Sequence, residues 1–169
     1  MAPKKVALIT GAAGDIGSNV AEHLYALGYE LVLVDVNKES LTSLCESLPG
    51  STAITTDQND RESLDHLLSL ITQDLGHINV AFINAGVISV GNVLDISPKL
   101  IDLQLEVNLR SAIHLIRSCA ENMVKHGSGH IISTVSMGGI ISLKGSATYS
   151  ASKFGLRGFM SALRDEVKP

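Results

Sequence analysis

The chain has 169 residues, of which 45% are hydrophobic and 18% are charged, and its formal net charge is −4. This length suits one compact domain over residues 1–169, and the acidic balance gives no electrostatic reason to expect nucleic acid or an anionic membrane as partner. The histidines show no metal-ligand spacing, and Cys45 and Cys119 are interpreted as unpaired small hydrophobes of a reducing compartment. We expect a cytoplasmic protein, because polar residues interrupt the longest apolar run, Ile78 to Val90, which cannot span a bilayer.

Short β-branched runs alternate along the chain with longer segments of helical period. Strands are predicted at Val6–Thr10, Leu31–Val36, Thr52–Thr55, Val80–Ile83 and His130–Val135. Helices are predicted at Asp15–Leu27, Lys38–Leu48, Asp60–Leu75 and Ala147–Val167, with one long helix from Pro98 to about Lys125 that Ser97 caps. The strands are continuous apolar runs, which is typical of parallel strands covered on both faces. The pattern predicts an α/β fold with a Rossmann-like, doubly wound parallel sheet.

A glycine-rich turn follows the first strand and leads directly into the first helix. It runs from Thr10 to Gly17, with further glycines at positions 11 and 14. Such a junction presents unpaired backbone N–H groups and the positive end of a helix dipole to a phosphate. We interpret it as a dinucleotide-binding turn, with an ordinary strand-to-helix turn as the alternative.

The second predicted strand brings Asp35 to its carboxyl end. A carboxylate there can accept two hydrogen bonds from an adenosine ribose and would repel a 2′-phosphate, which favours NAD over NADP. Lys38 keeps NADP open as an alternative, and a solvent-facing turn aspartate is the other interpretation.

Tyr149 and Lys153 stand one helical turn apart on the same face of the last predicted helix. A fixed positive charge favours the phenolate form of a nearby tyrosine, which suits proton exchange. On most helices such a pair is a surface contact with little energetic meaning. Here Ser136 precedes it at the carboxyl end of the fifth strand, where open α/β sheets bind their ligands.

Together these segments resemble the short-chain dehydrogenase/reductase family from Val6 to the end of the chain. Gly11, Ile16 and Gly17 match its TGxxxGxG turn, Asp57 its adenine-contacting acidic position, and Asn84, Ala85 and Gly86 its NAG segment. Asn108, Ser136, Tyr149 and Lys153 match its catalytic tetrad, with the serine thirteen residues before the tyrosine. The cofactor site implied by the resemblance comprises Gly11, Asp15, Ile16, Gly17, Asp35, Asp57, Asn84, Ala85, Gly86, Tyr149 and Lys153.

The resemblance implies an NAD-dependent oxidoreductase that interconverts a secondary alcohol and a ketone. Tyr149 would exchange the substrate proton, while Ser136 would hydrogen-bond the same oxygen. Lys153 would hold the nicotinamide ribose, and Asn108 would anchor a water that relays the proton. For Asn108 the competing interpretation is a helix-interior polar group that satisfies a neighbouring backbone. The partner would be a small alcohol or ketone, whose identity these residues do not give.

The sequence departs from the family pattern at three places. Asp15 replaces the middle glycine of the turn, and we expect its side chain to point away and cap the helix. Ile83 replaces an asparagine, with little consequence expected. The chain stops at Lys168-Pro169, where relatives continue into further strands and a substrate loop. We therefore expect a truncated fold that lacks one pocket wall and exposes the edge of the fifth strand.

The predicted Ser97–Lys125 helix has apolar residues on more than one face. In the family the equivalent helix packs against its copy, so we expect a homodimer or homotetramer. Two alternatives to an active enzyme remain. The chain could be a dinucleotide-binding module or inactive fragment without turnover, or another chain could supply the missing pocket wall.

Overall fold

The computed structural model describes residues 4–167 and confirms the predicted alternation of strands and helices. The strands are β1 (Val6–Thr10), β2 (Glu30–Asp35), β3 (Thr52–Thr55), β4 (Ile78–Ile83) and β5 (His130–Ser133). The helices are α1 (Asp15–Ala26), α2 (Lys38–Ser47), α3 (Arg61–Gln73), α4 (Pro98–Leu105), α5 (Ala112–His126) and α6 (Ala147–Glu166). Lys168 and Pro169, after which the further strands of relatives would follow, lie outside the described residues.

The five strands form one parallel sheet in the order β3-β2-β1-β4-β5. The chain first moves outward from β1 through β2 to β3, then crosses back to β4 and β5. Thr10, at the carboxyl end of β1, pairs with both Val34 of β2 and Ile83 of β4. The direction of winding changes at this point, and open α/β sheets bind ligands in the crevice that such a change creates. The Rossmann-like prediction is therefore correct.

The sheet is covered on both faces, and neighbouring residues of β1 show how. Leu8 points into a core shared with α3, α5 and α6, whereas Ile9 points into a core shared with α1 and α2. Both side chains are fully buried. This burial on alternate faces explains why the strands are continuous apolar runs.

The long helix predicted from Pro98 to Lys125 is interrupted. Ser97 caps α4 through its side chain, as expected, but residues Glu106–Ser111 form a π-helical segment before α5 begins. A π segment inserts one residue into the helical repeat and shifts the side chains that follow. The prediction of one regular helix was therefore wrong over six residues, which include Asn108.

Strand β5 ends at Ser133, two residues earlier than predicted, and pairs with β4 alone within the described part of the chain. Its Ile132 is 47% exposed, in line with the expected apolar edge. No helix among residues 4–167 is long and apolar enough to cross a membrane. Across the same residues, no cluster of three or more His, Cys, Asp or Glu side chains is placed to hold a metal ion. Cys45 and Cys119 are free thiols, and burial raises the pKa of Cys119 to about 12.

Candidate active site and cofactor cleft

The glycine turn between β1 and α1 depends on two glycines that make close contacts. Gly11 has φ +62°, and a Cβ placed on it would stand 2.8 Å from the Cα of Ala85. A Cβ on Gly17 would overlap the carbonyl oxygen of Gly11. These positions therefore need glycine because α1 packs directly on the turn and the turn packs directly on the segment after β4.

The first turn of α1 leaves its backbone donors without a side-chain cap. Its N-cap is Gly14, which has no side chain to accept a hydrogen bond. The expectation that Asp15 caps the helix was wrong, because Asp15 is already the first helical residue and its side chain is exposed. Ile16 is also exposed, at 56%. Helices α2, α3 and α4, by contrast, each begin with a side-chain cap. The positive end of α1 is thus open to an anionic group.

Asp35 lies at the carboxyl end of β2, directly beside the glycine turn. Its Oδ2 accepts a hydrogen bond from Ala13 N at 2.9 Å, and its Oδ1 accepts one from Asn37 N at 3.0 Å. Each carboxylate oxygen has a further lone pair, so the group can still accept hydrogen bonds from a ligand. These two bonds hold the carboxylate in position beside the glycine turn.

Three side chains tie together the carboxyl ends of β1, β4 and β5. Thr10 Oγ1 accepts hydrogen bonds from the backbone N of Asn84 and of Ala85. Asn84 in turn donates from Nδ2 to Gly11 O at 3.3 Å and accepts at Oδ1 from Thr134 Oγ1 at 2.9 Å. Asn84 was predicted from the sequence, but the two threonines were not, and their signal was their position at or just after a strand end.

These elements enclose a cleft of about 530 Å³ along the carboxyl edge of the sheet. Its walls include Gly11, Ala13, Gly14, Asp35, Asn37, Asp57, Asn84, Ala85, Gly86 and Val87. Asp57 lies near the start of α3, and its Oδ1 accepts a hydrogen bond from Asn59 N at 2.8 Å. Six of the eleven cofactor residues predicted from the sequence therefore line one continuous surface. The other five do not line it: Asp15, Ile16, Gly17, Tyr149 and Lys153.

Gly86 connects this cleft with the predicted catalytic residues. A Cβ on Gly86 would stand 3.2 Å from Asn108 Oδ1 and 3.5 Å from Lys153 Nζ. The absence of a side chain here lets the backbone of Gly86 lie directly against these two polar groups, which are buried. The cleft thus ends where the catalytic residues predicted from the sequence begin.

Lys153 and Tyr149 lie one turn apart near the start of α6, as predicted. Lys153 is only 3% exposed, and its Nζ donates a hydrogen bond to Thr134 O at 2.8 Å. Burial lowers the pKa of this ammonium group, because removal from water disfavours its charged form. Nζ lies 5.8 Å from the centre of the Tyr149 ring. The pair is therefore a fixed, partly desolvated arrangement rather than a mobile surface contact.

Ser136 has a backbone conformation that L-amino acids rarely adopt, with φ 66° and ψ 164°. It is the one non-glycine residue with positive φ between residues 4 and 167. Its Oγ accepts a hydrogen bond from Gly138 N at 3.2 Å. A Cβ on Gly138 would stand 2.9 Å from the Tyr149 ring and 3.8 Å from Ser136 Oγ. The strained turn thus holds the serine hydroxyl near the tyrosine, and strain of this kind is often found at functional sites.

Asn108 lies in the π segment and is fully buried. Its Oδ1 accepts a hydrogen bond from Val87 N at 2.7 Å, while its Nδ2 donates to Val87 O at 2.7 Å and to Ser152 Oγ at 3.3 Å. The side chain therefore fixes the backbone next to Gly86 and links it to α6. This matches the competing interpretation of Asn108 given above, a helix-interior polar group that satisfies a neighbouring backbone.

Comparison with known proteins places this geometry in a family. A family model described as short chain dehydrogenase matches residues 5–169. An uncharacterised oxidoreductase of Staphylococcus epidermidis is 27% identical over 165 residues, which cover 97% of this chain and 72% of the relative. The bovine dehydrogenase/reductase SDR family member 7B is 32% identical over an alignment 173 residues long. That alignment covers 96% of this chain and 53% of the relative.

Among solved structures, a short chain dehydrogenase/reductase from Burkholderia phymatum, crystallised in complex with NAD, superposes with a TM-score of 0.90 at 28% identity. The match covers 96% of this chain and 60% of that protein, so this chain spans less than two thirds of the solved relative. The family match over almost the whole chain agrees with the fold described above. The chain belongs to the short chain dehydrogenase family.

Proposed function

We propose that residues 1–169 form the nucleotide-binding and catalytic domain of an NAD-dependent oxidoreductase that interconverts a secondary alcohol and a ketone. One arrangement carries this proposal: the strained Ser136 begins the turn whose Gly138 packs against the Tyr149 ring, and the buried Lys153 holds its Nζ 5.8 Å from the centre of that ring. A site that only bound a dinucleotide would not need a strained hydroxyl beside a phenol.

The cleft fits a dinucleotide on two independent grounds. The uncapped N-terminus of α1 offers backbone N–H groups for a pyrophosphate, and the glycine turn allows close approach of the backbone. Asp35, held in place by Ala13 N and Asn37 N, offers its remaining lone pairs to an adenosine ribose. The related Burkholderia structure holds NAD, which agrees with this assignment.

The preference for NAD over NADP follows from the charge of Asp35. Its carboxylate would lie close to a 2′-phosphate on the ribose and would repel it. Lys38, the nearest cation in sequence, begins α2 and is exposed. A solvated lysine offsets such repulsion weakly, so we propose NAD as the cofactor.

A bound nicotinamide ring would supply or accept the hydride. Tyr149 would donate its phenolic proton to the carbonyl oxygen during reduction and take it back during oxidation. The ammonium group of Lys153 would favour the phenolate form, since its hydrogen bond to Thr134 O holds the charge beside the ring. The same ammonium group would reach the nicotinamide ribose past Gly86.

Ser136 would supply the second hydrogen bond to the reacting oxygen. Its Oγ already accepts from Gly138 N, so its own proton is free to be donated. A donor fixed before the reaction stabilises the developing negative charge without further reorganisation. Asn108 would act as a positioning residue that holds the segment at Val87. The water relay expected of Asn108 stays a prediction.

Self-association belongs to the same proposal. Leu100 of α4 and Phe154 of α6 are 41% and 42% exposed, on two helices that pack against each other. We propose that this surface forms a homodimer contact, which a homotetramer would also contain.

Titration with NADH and NADPH, followed by nicotinamide fluorescence, tests the cofactor assignment. We expect saturable NADH binding, weakened about tenfold or more in Asp35→Ala, which also gains affinity for NADPH, because a charged hydrogen-bond acceptor is lost. Asp102→Ala, which removes an exposed carboxylate from α4, should leave both affinities unchanged. A folded wild-type chain that binds neither nucleotide, or prefers NADPH, would refute the assignment.

The rival function is a dinucleotide-binding module without turnover. Its support is that this chain covers only 60% of the solved relative. Tyr149→Phe separates the two functions. If the chain is an enzyme, the variant should bind NADH normally and lose turnover of a ketone panel by at least about 100-fold. No turnover in the wild type would favour the binding module, whereas equal measurable rates in both proteins would refute the role of Tyr149 as acid and base.

A further inference from the structure

Two loops leave the carboxyl ends of neighbouring strands and meet beside the candidate active site. Residues 87–96 follow β4, and residues 134–146 follow β5, contain Ser136 and lead to Tyr149. Gly91 N donates a hydrogen bond to Gly145 O at 2.9 Å, and a Cβ on Gly145 would stand 3.5 Å from Val90 Cγ1. The loops therefore form one surface next to the reacting hydroxyl groups.

This surface exposes large apolar side chains. Six of them, which we call the apolar loop cluster, are between 53% and 70% exposed: Ile88, Val90, Met137, Ile140, Ile141 and Leu143. Met137 directly follows Ser136, and Gly138 packs against the Tyr149 ring. The cluster is thus continuous with the residues that would hold the substrate oxygen.

The same two loops are poor in charge, and some of their polar side chains are already paired. Asp95 and Lys144 are their only charged residues, and both are exposed. Two of the polar side chains bond their own loop, since Asn92 Oδ1 accepts from Leu94 N and Ser146 Oγ donates to Leu143 O. Such a wall offers little to the many hydroxyls of a polyol and little positive charge to a phosphate.

We infer that the substrate carries its carbonyl or hydroxyl group on a large, uncharged, apolar body, which lies against the apolar loop cluster. The inference rests on the proposed function and narrows its substrate class. Sites for small molecules combine a mostly apolar wall with a few placed polar groups. Here Tyr149 and Ser136 are those polar groups, and the cluster is the wall beside them. A polyol or phosphorylated substrate would leave its polar groups unpaired against this wall.

A series of methyl ketones from 2-butanone to 2-decanone, reduced with NADH, tests this inference on the chain as it stands. Each methylene that the cluster removes from water should raise kcat/KM about threefold. Oxidation of xylitol with NAD should be at least about 100-fold less efficient than oxidation of 2-decanol. A flat or falling series, or a preference for xylitol, would overturn the inference while leaving the proposed oxidoreductase intact.

Leu143→Ser makes the test specific to the cluster. Leu143 is 64% exposed, so its replacement should not disturb the fold, and it should weaken the dependence on chain length. The matched control is Leu27→Ser, at the end of α1, where the side chain is 74% exposed and lies outside both loops. If Leu143→Ser behaves as Leu27→Ser does, the cluster is not the substrate wall and the inference fails.

A binding measurement separates this inference from the proposed activity. The neutral apolar probe N-phenyl-1-naphthylamine is first bound to the protein and then displaced by the ketone series. Wild type, Leu143→Ser and Tyr149→Phe are compared side by side. Displacement that strengthens with chain length and weakens in Leu143→Ser supports the apolar site even where turnover is absent, and only the proposed activity then fails. No displacement by 2-decanone would overturn the inference.

Discussion

Ser136 adopts a backbone conformation that glycine would adopt at lower cost. A non-glycine residue near φ 66° and ψ 164° costs about 1–3 kcal/mol. We predict that Ser136→Gly raises the free energy of unfolding by roughly 1 kcal/mol. This is the net effect, because the variant relieves the backbone strain but loses the hydrogen bond from Gly138 N to Oγ. The same variant should lower kcat by about 100-fold or more, because it removes a donor to the reacting oxygen. Urea unfolding and steady-state kinetics measure the two effects.

Ser142→Gly is the matched control for this prediction. Ser142 lies in the same loop, is exposed and has no positive φ. Its replacement should lower stability by a few tenths of a kcal/mol, because glycine gains freedom in the unfolded chain. A similar stability gain in both variants would show that the conformation of Ser136 is not strained.

Lys153 makes the stability of the protein depend on pH in the alkaline range. Burial lowers the pKa of its ammonium group below the value of about 10.4 in the unfolded chain. Between the two pKa values this group binds more protons in the unfolded chain, so its contribution to the free energy of unfolding rises as the pH rises through this window. We predict that Lys153→Met removes this rise, measured by urea unfolding between about pH 8 and 10.5.

The control for this prediction is Lys144→Met, which removes an exposed ammonium group from the loop before α6. It should keep the pH dependence of the wild type. Burial raises the pKa of Cys119 to about 12, which lowers stability over the same pH range, so the test is the difference between Lys153→Met and wild type. Equal pH dependence in these two proteins, or a Lys144→Met variant that changes it as Lys153→Met does, would count against a desolvated Lys153.

The helices and strands show which features a sequence pattern can predict. All five strands were found: β1, β2 and β4 are apolar runs buried on both faces, whereas the edge strands β3 and β5 have no buried residue and were recognised by β-branched residues between turn signals. The π segment at Glu106–Ser111 was missed, since six residues are too few to change an apolar period. The cap of α1 was also assigned wrongly: Asp15 is a common N-cap type, but it is the first helical residue, and Gly14 holds the N-cap position.

Gly17 and Gly158 are both helical glycines, but their surroundings predict opposite effects on substitution. A Cβ on Gly17 would overlap Gly11 O and stand 2.8 Å from Ala12 Cα, whereas nothing lies within 4 Å of one on Gly158. Gly17→Ala should therefore destabilise the protein by about 1–3 kcal/mol and weaken NADH binding. Gly158→Ala should stabilise α6 by about 0.5–1 kcal/mol. Thermal unfolding with and without NADH tests the pair, and equal effects would contradict the close packing of α1 on the turn.

Across the whole molecule, the parallel topology explains why the site residues could be named before their contacts were known. Family-like motifs identified Asn84, Tyr149 and Lys153, and the strand order brings them to one edge of the sheet. Their partners were not predicted, because Thr134 meets Asn84 through its side chain and Lys153 through its carbonyl oxygen. Contacts between residues so distant in sequence depend on strand register, which a single sequence does not give.

The exposed apolar side chains of α4 and α6 predict how two copies of the chain associate. Leu100 and Phe154 present apolar area on α4 and α6, and a two-fold contact would bury both on each subunit. Phe154→Asp would bury an unpaired charge in that contact, so we expect dissociation to become at least about tenfold easier in sedimentation equilibrium. Leu27→Asp places the same charge on the exposed end of α1 and should leave association unchanged. A wild-type chain that stays monomeric at micromolar concentration would exclude this dimer, and equal dissociation of both variants would place the contact elsewhere.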